Sequence, residues 1–358
     1  MNEHAFFSNL GEKVPLILVN GTKGFADPNF FYFSGISFGV FEHCAAVVKE
    51  EGTTVISNRL DSKAAEMSGC NVSVFSTRED LLNIILKETG GSERIALNFS
   101  KLPVEWYQLL RKHLPETQFI DASAALQQTR EVKNEHEIEH HRKACSITIK
   151  AFDEAIGQLK EGMTESEFAS KLIYALLING SGFPYAEPTV AFGENAAFPH
   201  YSAGSRKLHS GDVVLMDFGA TASRYVSDIT RTVVFGRASD AIKEAYDIVN
   251  KAREAGIHAM REGETGGAVD SAARRVIDAS GFSGKFIHGF GHGVGLEIHD
   301  HPCFSPSSAV RLKGNMVVTA EPGVYLPGEF GIRIEDNLVI KKNGAENLTP
   351  DRHELIEI

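Results

Sequence analysis

Cysteine, tryptophan and long apolar runs are all scarce in this sequence. Its four cysteines among 358 residues include no CxxC pair, which excludes the disulfide framework of small secreted proteins and predicts reduced thiols. No stretch approaches the roughly 18 consecutive apolar residues that a membrane-spanning helix needs. The first residues also lack the basic start and apolar core of a signal peptide. We therefore expect a cytoplasmic protein that has no membrane partner.

Positive charge is scarce as well. Lys and Arg number 36 against 47 Asp and Glu, which gives a formal net charge of -11 at pH 7. A general nucleic-acid binder needs a basic face, so this balance excludes nucleic acid as a partner. The hydrophobic fraction of 42% is enough for a sizeable core, and the length of the chain predicts more than one domain.

Strands and helices alternate through the first third of the chain. Apolar strands such as VPLILV (14–19) and RIALNF (94–99) surround a helical pattern at 78–88, whose apolar residues fall on one face. This alternation predicts an α/β domain over residues 1–128. The charged stretch at 127–145 then predicts a linker that runs into a long helix. Residues 129–358 form the second predicted domain, in which strand-rich segments are separated by helices.

An HExxH pattern lies in the charged stretch and involves His136 and His140. On a helix, this spacing presents two histidines to one zinc ion. A catalytic zinc helix is normally buried among apolar neighbours, whereas nearly every neighbour here is charged or polar. We interpret the segment as a solvated helix start, whose acidic residues are favoured by the helix dipole. A zinc-helix peptidase remains a rival hypothesis.

Two aspartates, Asp217 and Asp228, lie within VLMDFGATASRYVSDITRTVVF, a segment typical of two β-strands. Burying a carboxylate among apolar residues is costly unless a cation meets it. A nearby arginine such as Arg224 or Arg231 could pair with each aspartate separately. A shared metal site would account for both aspartates at once.

Three further segments favour the metal site. FIHGFGHGVGLEIHD interleaves His288, His292 and His299 with glycines, which let the backbone approach other groups closely. The segment lacks the βαβ context that a nucleotide-binding glycine loop requires. Glu321 follows a strand in VVTAEPGVYL, and Glu335 lies in the alternating strand GIRIEDNLVI.

Two aspartates, two glutamates and one histidine form a ligand set that suits Mn, Co or Zn. Four carboxylates cannot stay together without cations, and two divalent ions would balance their charge. Two metal ions roughly 3.5–4 Å apart are a known hydrolytic arrangement, in which a shared water becomes a nucleophile at neutral pH. The sequence therefore predicts a hydrolytic site with two divalent metal ions, such as Mn, Co or Zn.

In their order, these motifs resemble the pita-bread metallopeptidases, the superfamily of methionine aminopeptidases and Xaa-Pro peptidases. The resemblance covers about 128–358 strongly, and PNFFYFSG with the linker pattern extends it loosely into the first domain. It implies a creatinase-like N-terminal α/β domain followed by a pita-bread catalytic domain of the α+β class. The large first domain sets the chain apart from compact methionine aminopeptidases. The complete ligand set sets it apart from creatinase-like relatives.

The resemblance favours an Xaa-Pro dipeptidase (prolidase), whose substrate is a small peptide with proline at its second position. Aminopeptidase P, which acts on longer Xaa-Pro peptides, is the first alternative, and a non-catalytic pita-bread binding module is the second. The resemblance also implies a homodimer.

Residue roles follow from the same resemblance. The metal ligands it implies are Asp217, Asp228, His292, Glu321 and Glu335, of which Asp228 and Glu335 are expected to touch both halves of the metal site or to bridge them. Catalysis is assigned to His299 or His288, which would stabilise the tetrahedral intermediate, and to Glu321, which would carry a proton. The substrate pocket is assigned to His200, His288 and Arg333. Thr230, two residues after Asp228, is expected to hydrogen-bond a metal-bound carboxylate.

Overall fold

The computed structural model describes residues 2–22, 25–182, 187–350 and 354–358. The chain forms two compact units, Met1–Arg130 and Glu131–Ile358. No helix among the described residues is long and apolar enough to cross a membrane.

The first unit consists of helices around one mixed sheet. Its helices are α1 (Asn2–Leu10), α2 (Pro28–Ser34), α3 (Ser62–Glu66), α4 (Arg78–Thr89), α5 (Val104–His113) and α6 (Ser123–Glu131), the last of which crosses the boundary by one residue. Its strands are β1 (Leu16–Val19), β2 (Ala45–Lys49), β3 (Gly52–Asn58), β4 (Asn71–Phe75), β5 (Arg94–Leu97) and β6 (Gln118–Asp121).

The sheet of the first unit has the order β4-β3-β2-β1-β5-β6. The pairs β3–β4, β1–β5 and β5–β6 are parallel, while β2 runs antiparallel to both of its neighbours. Ile17, Val47 and Ile95 of the sheet pack against Ile85 of α4 and Trp106 of α5. A parallel strand pair needs a crossover connection, which is why helices alternate with strands in this part of the chain.

The helices of the second unit are α7 (Glu135–Ile156), α8 (Glu165–Ile178), α9 (Asp240–Ala259) and α10 (Gly266–Asp278). Helix α7 begins at a capping box, in which Asn134 and Glu137 each accept a hydrogen bond from the other residue's backbone N–H. The charged stretch is mostly helical, because α6 extends to Glu131 and α7 starts at Glu135. The predicted linker is thus only a short break between two helices.

The strands of the second unit are β7 (Thr189–Phe192), β8 (Val213–Phe218), β9 (Thr221–Ala222), β10 (Tyr225–Val226), β11 (Ile229–Val234), β12 (Gly291–Gly293), β13 (Asp300–Phe304), β14 (Val317–Ala320), β15 (Gly323–Leu326), β16 (Phe330–Arg333), β17 (Asp336–Lys341) and β18 (Gly344–Asn347). They form antiparallel sheets of order β11-β8-β7 and β13-β12-β14-β17-β18, and the ribbons β9–β10 and β15–β16. Apolar cores support them, among them one with α7 and α8 and another with α9 and α10.

His141 fastens α7 to the β9–β10 hairpin. Its side chain is completely buried, and its Nδ1 donates to the backbone oxygen of Val226 at 2.8 Å. Its Nε2 has no hydrogen-bond partner among the described residues. Burial first, and the charge of Lys133 second, lower the pKa of His141 from 6.5 to about 3.

We expect His141 to make the folded protein sensitive to acid. In the unfolded chain His141 takes up a proton as pH falls below 6.5. In the folded chain it stays neutral until pH falls to about 3. Stability from this group is therefore complete above pH 6.5 and is lost as pH falls, by at most about 1.4 kcal/mol per pH unit. In metal-free protein, His141→Gln should flatten the fall in unfolding free energy between pH 6.5 and about 4.5, measured by urea denaturation. The surface variant His258→Gln is the control, and equal slopes for His141→Gln and wild type would contradict the prediction.

Candidate metal centre

Antiparallel pairing explains the spacing of the two aspartates. In the register of β8 and β11, Asp217 lies opposite Thr230. Because side chains two residues apart point to the same face of a strand, Asp228 and Thr230 share the face of Asp217. The β9–β10 hairpin fills the connection between the two strands. The eleven-residue interval therefore brings both carboxylates to one face of the sheet.

The remaining predicted ligands come from the five-stranded sheet and its edges. His292 is the central residue of β12, Glu321 directly follows β14, and Glu335 lies between β16 and β17. The backbone N–H of Glu335 donates to the oxygen of Thr230 at 3.0 Å. This bond ties the five-stranded sheet to the strand that follows Asp228.

Three of the five predicted ligands converge closely. Asp228, His292 and Glu335 are all buried, and each offers one ligand atom that lies within 4.8 Å of the other two. His292 Nε2 lies 3.6 Å from Asp228 Oδ2 and 3.3 Å from Glu321 Oε1, so Glu321 borders the same cluster. Asp217 differs from the others, because its Oδ2 lies 2.5 Å from the guanidinium of Arg333.

The donor set fits divalent metal ions. Asp228 Oδ1 and Glu335 Oε1 are buried and have no hydrogen-bond partner among the described residues, although buried polar atoms are normally paired. His292 Nδ1 lies 3.0 Å from the backbone oxygen of Gly293, which places the proton on Nδ1 and leaves the Nε2 lone pair for a metal. Buried carboxylate oxygens and a neutral imidazole are suitable ligands for a hard or borderline ion.

The charges of the cluster repel one another. Burial first, and the charge of Glu335 second, raise the pKa of Asp228 well above its ordinary value. Burial and then Glu321 raise the pKa of Glu335 in the same way. Burial also raises the pKa of Glu321 to about 7, although the positive charge of Arg333 opposes it. A bound cation would remove this repulsion by favouring the charged carboxylates.

Arg333 connects the aspartate strands to the second sheet. It is 3% exposed, and it donates through Nε to Thr230 Oγ1 at 2.9 Å and through Nη1 to the Tyr325 hydroxyl at 2.9 Å. The Thr230 hydroxyl in turn donates to Glu335 Oε2 at 2.7 Å. Thr230 therefore contacts a predicted ligand, as its position two residues after Asp228 suggested.

The alternative hypothesis that Arg231 pairs with Asp217 or Asp228 is wrong. The Arg231 guanidinium donates to Asp336 Oδ1 at 3.0 Å and to the Glu335 backbone oxygen at 2.5 Å. Arg231 is one residue from Thr230, so its side chain points to the other face of β11. The arginine that pairs with Asp217 is instead Arg333, more than a hundred residues further along the chain. Arg333, which the resemblance assigns to the substrate pocket, thus pairs with a predicted metal ligand.

Sequence patterns missed several residues that hold the ligands. Asn337 accepts from the Asp228 backbone N–H at 3.0 Å and donates to the Asp228 oxygen at 2.6 Å. Thr319 Oγ1 accepts from the His292 N–H at 3.0 Å. Asn337 carried a weak signal, as a polar residue in an apolar strand. Thr319 carried none, because threonine is common in strands.

The predicted pocket histidines differ in exposure. His299 is exposed, and its ring centroid lies 4.5 Å from that of His292. His200 is exposed and directly follows Pro199, whose oxygen accepts from Arg333 Nη1 at 3.4 Å. His288 is half-buried.

Both ring nitrogens of His288 have partners inside the protein. Nδ1 lies 2.9 Å from the Gly289 oxygen, and Nε2 lies 2.8 Å from the Tyr325 hydroxyl. Burial lowers the pKa of His288 to about 4. The neutral ring therefore links Tyr325, and through it Arg333, to the glycine-rich segment. A catalytic or substrate-binding role for His288 stays a prediction.

The HExxH histidines lie at the start of α7 and outside the ligand cluster. Their Nε2 atoms are 3.2 Å apart, and His136 is exposed while His140 is half-buried. Glu137, the base that a zinc-helix peptidase would need, accepts from the Asn134 N–H at 2.9 Å and from the Tyr225 hydroxyl at 3.0 Å. This glutamate caps its helix, which supports the interpretation of the segment as a helix start.

Comparison with known proteins decides the family. Residues 139–342 match the model of metallopeptidase family M24, and residues 16–132 match that of the creatinase/prolidase N-terminal domain. The chain belongs to metallopeptidase family M24.

Similar proteins agree with this assignment. The M24 chain is 37% identical over 329 residues to the Xaa-Pro dipeptidase of Pyrococcus furiosus, with 92% of each chain covered. The prolidase of Pyrococcus horikoshii OT3 superposes with a TM-score of 0.89 at 32% identity, and 99% of each chain is covered. The X-Pro aminopeptidase of Thermotoga maritima MSB8 gives a TM-score of 0.90 at 32% identity, covering 97% of this chain and 98% of that one.

These matches confirm several predictions. The fold is a creatinase-like N-terminal α/β domain followed by a pita-bread catalytic domain. The chain is a metallopeptidase of a family that uses divalent metal ions, and it carries a matching candidate site. The identity of the metal and the role of each site residue remain predictions.

Proposed function

We propose that this protein hydrolyses the peptide bond that precedes proline in Xaa-Pro dipeptides. The buried convergence of Asp228, His292 and Glu335 carries the proposal, because it provides a metal site in the catalytic domain of an M24 chain. Two curated relatives at 34% and 37% identity are named Xaa-Pro dipeptidases, which favours this substrate class over longer peptides.

Two divalent ions, Mn or Co in first place and Zn in second, would be held by Asp217, Asp228, His292, Glu321 and Glu335. When bound, such ions polarise a carbonyl and lower the pKa of water. Arg333 holds one oxygen of Asp217 and thereby orients its other oxygen. Thr230 does the same for Glu335. These contacts fix the ligands before metal binds, as supporting groups around metal sites generally do.

The other residues handle the substrate. Proline at the second position makes the scissile bond a tertiary amide, so its nitrogen must gain a proton before it can leave. We assign this proton transfer to Glu321, whose Oε1 borders the ligand cluster. The exposed imidazole of His299 beside His292 is assigned to stabilise the developing oxyanion. His200 and His288 are assigned to the pocket around the substrate, together with Arg333.

Proline release from peptides tests the proposal. The purified protein is stripped with a chelator, reloaded with Mn, Co or Zn, and assayed on Xaa-Pro dipeptides and on Xaa-Pro-Xaa tripeptides. We expect no activity after stripping, restoration by at least one ion, and cleavage of dipeptides only. Efficient tripeptide cleavage would indicate aminopeptidase P instead, and no cleavage with any ion would indicate a binding module.

The finer predictions of a homodimer in the cytoplasm rest on the family resemblance and on the composition. Light scattering coupled to gel filtration measures the mass in solution, and a single species near twice 39.1 kDa is expected.

A further inference from the structure

Glu165 is a completely buried carboxylate that lies outside the ligand cluster. It is the first residue of α8, follows the N-cap residue Thr164, and is 0% exposed. In the sequence it resembles any acidic residue in the first turn of a helix. Such residues usually remain in solvent, because burying a charge is costly unless it is fully hydrogen-bonded.

Four donors from one segment surround the Glu165 carboxylate. Oε1 accepts from the Phe192 backbone N–H and from Asn195 Nδ2, both at 2.9 Å. Oε2 accepts from the Tyr201 hydroxyl at 2.9 Å and from the Gly204 N–H at 3.1 Å. The four bonds hold the beginning, the middle and the end of residues 192–204, which we call the His200 loop.

The other side of the His200 loop packs against β16. A Cβ on Gly331 would lie 1.9 Å from the Ala196 backbone oxygen, so the two backbones are in direct contact. Arg333, the last residue of β16, donates to the Pro199 oxygen at 3.4 Å. The loop is therefore held between Glu165 and the strand that ends at Arg333, and it presents His200 to solvent beside the candidate site.

Holding the His200 loop in this way requires a carboxylate at position 165 rather than any polar group. All four partners are donors, and a carboxylate accepts at both of its oxygens. Glutamine has the same shape, but in either orientation its NH₂ group would face a backbone N–H, that of Phe192 or that of Gly204, and leave it without an acceptor. The positive end of the α8 dipole also favours a negative charge at this position.

We propose that Glu165 is a positioning residue for the substrate pocket, which fixes the His200 loop so that His200 meets the peptide. Glu165 itself touches no substrate and acts through His200. The inference deepens the proposed function, since it rests on the pocket role of His200, and it adds a residue on which the affinity for the peptide depends.

The first test compares kinetics of Glu165→Gln with those of wild type in metal-loaded protein. We expect KM for the dipeptide to rise about tenfold while kcat stays within about twofold, as for the loss of an interaction made in both ground and transition states. Bound metal per chain should not change. The matched control is Asp27→Asn in the first unit, which neutralises another buried carboxylate with three donor contacts and should leave KM unchanged.

A double-mutant cycle separates positioning from general loosening. If Glu165 acts through His200, Glu165→Gln should raise KM much less in a His200→Ala background than in wild type. Equal effects in both backgrounds would overturn the proposal. Tyr201→Phe removes one of the four donors and serves as a milder variant if Glu165→Gln folds poorly. It should raise KM in the same direction, and a wild-type KM would count against the proposal.

Hydrogen exchange supplies a readout that needs no substrate. In Glu165→Gln, the amides of residues 192–204 should exchange faster while those of β12 and β14 keep their wild-type rates. If wild type cleaves no Xaa-Pro peptide, the proposed function is wrong, and the exchange rates still test whether Glu165 holds the His200 loop. If wild type is active and the loop amides exchange at the wild-type rate in Glu165→Gln, the positioning role of Glu165 is wrong although the proposed function stands.

Discussion

Replacing Glu335 by glutamine is expected to lower kcat/KM by about 10³-fold or more, because Lewis-acid catalysis is worth several kcal/mol and each 1.36 kcal/mol changes a rate tenfold. Glu335 Oε2 accepts from Thr230, while the buried Oε1 has no partner among the described residues and faces the cluster. Glutamine offers one oxygen instead of two and no negative charge, so it is a much weaker ligand for a pair of divalent ions than a carboxylate is. Calorimetry should show that the variant takes up less metal than wild type.

The same substitution should have the opposite effect on the stability of metal-free protein. Burial and the charge of Glu321 raise the pKa of Glu335 in the folded chain, so at neutral pH an ionised Glu335 opposes folding. Glu335→Gln removes this charge, and its melting temperature without metal should equal or exceed that of wild type. With saturating metal the order should reverse, because ligand binding stabilises only the chain that binds it.

Glu346→Gln provides the control for Glu335→Gln. Glu346 is a carboxylate of the same unit, and it pairs with Arg142. Its replacement should leave kcat/KM and metal uptake at wild-type values. Full metal uptake by Glu335→Gln would show that Glu335 is not a ligand and would remove the basis of the two-metal proposal.

Gly291→Ala is expected to destabilise the protein by about 3 kcal/mol, the scale of overpacking in a rigid interior. A Cβ at this position would lie 2.3 Å from the Thr319 backbone oxygen and 2.9 Å from Thr319 Oγ1. Thr319 belongs to β14, next to β12, so the two strands must separate. The hydrogen bond from the His292 N–H to Thr319 would be lost with this movement.

The displacement should reach the metal centre, because the neighbour of Gly291 is the predicted ligand His292. For Gly291→Ala we expect both a lower melting temperature in thermal denaturation and a fall in kcat/KM. Gly157→Ala is the matched control, since Gly157 has φ -65° at the end of α7, and a Cβ added there would meet no packing neighbour within 4 Å in the described part of the chain. It should be neutral or slightly stabilising. A wild-type melting temperature for Gly291→Ala would show that the strands tolerate the added methyl group.

The sequence predicted the parts of the site that local patterns encode. The segment that carries Asp217 and Asp228 indicated two strands, and the structure contains both of them and pairs them with each other. Glycine between histidines indicated close backbone approach, which Gly291 shows against Thr319. The fold class and the metallopeptidase family followed from the order of these motifs and are confirmed.

The partners of these residues could not be predicted, because they come from distant parts of the chain. Asp217 pairs with Arg333 rather than with a neighbouring arginine. Tyr325 joins Arg333 to His288, and Asn337 holds both backbone groups of Asp228. Tyr325 resembles an ordinary strand residue in sequence and Asn337 carried only a weak signal, so only the pairing of strands places these two residues at the site.

The sequence by itself thus determined which residue types are available and at what spacing they follow one another, since both are local properties of the chain. The tertiary structure decided which charges meet. In the folded chain Arg231 donates to Asp336, Arg333 pairs with Asp217, and Glu165 is buried among four donors of the His200 loop. Electrostatic and hydrogen-bond energies depend on distance and burial, and the chain fixes both only when its distant segments pack together.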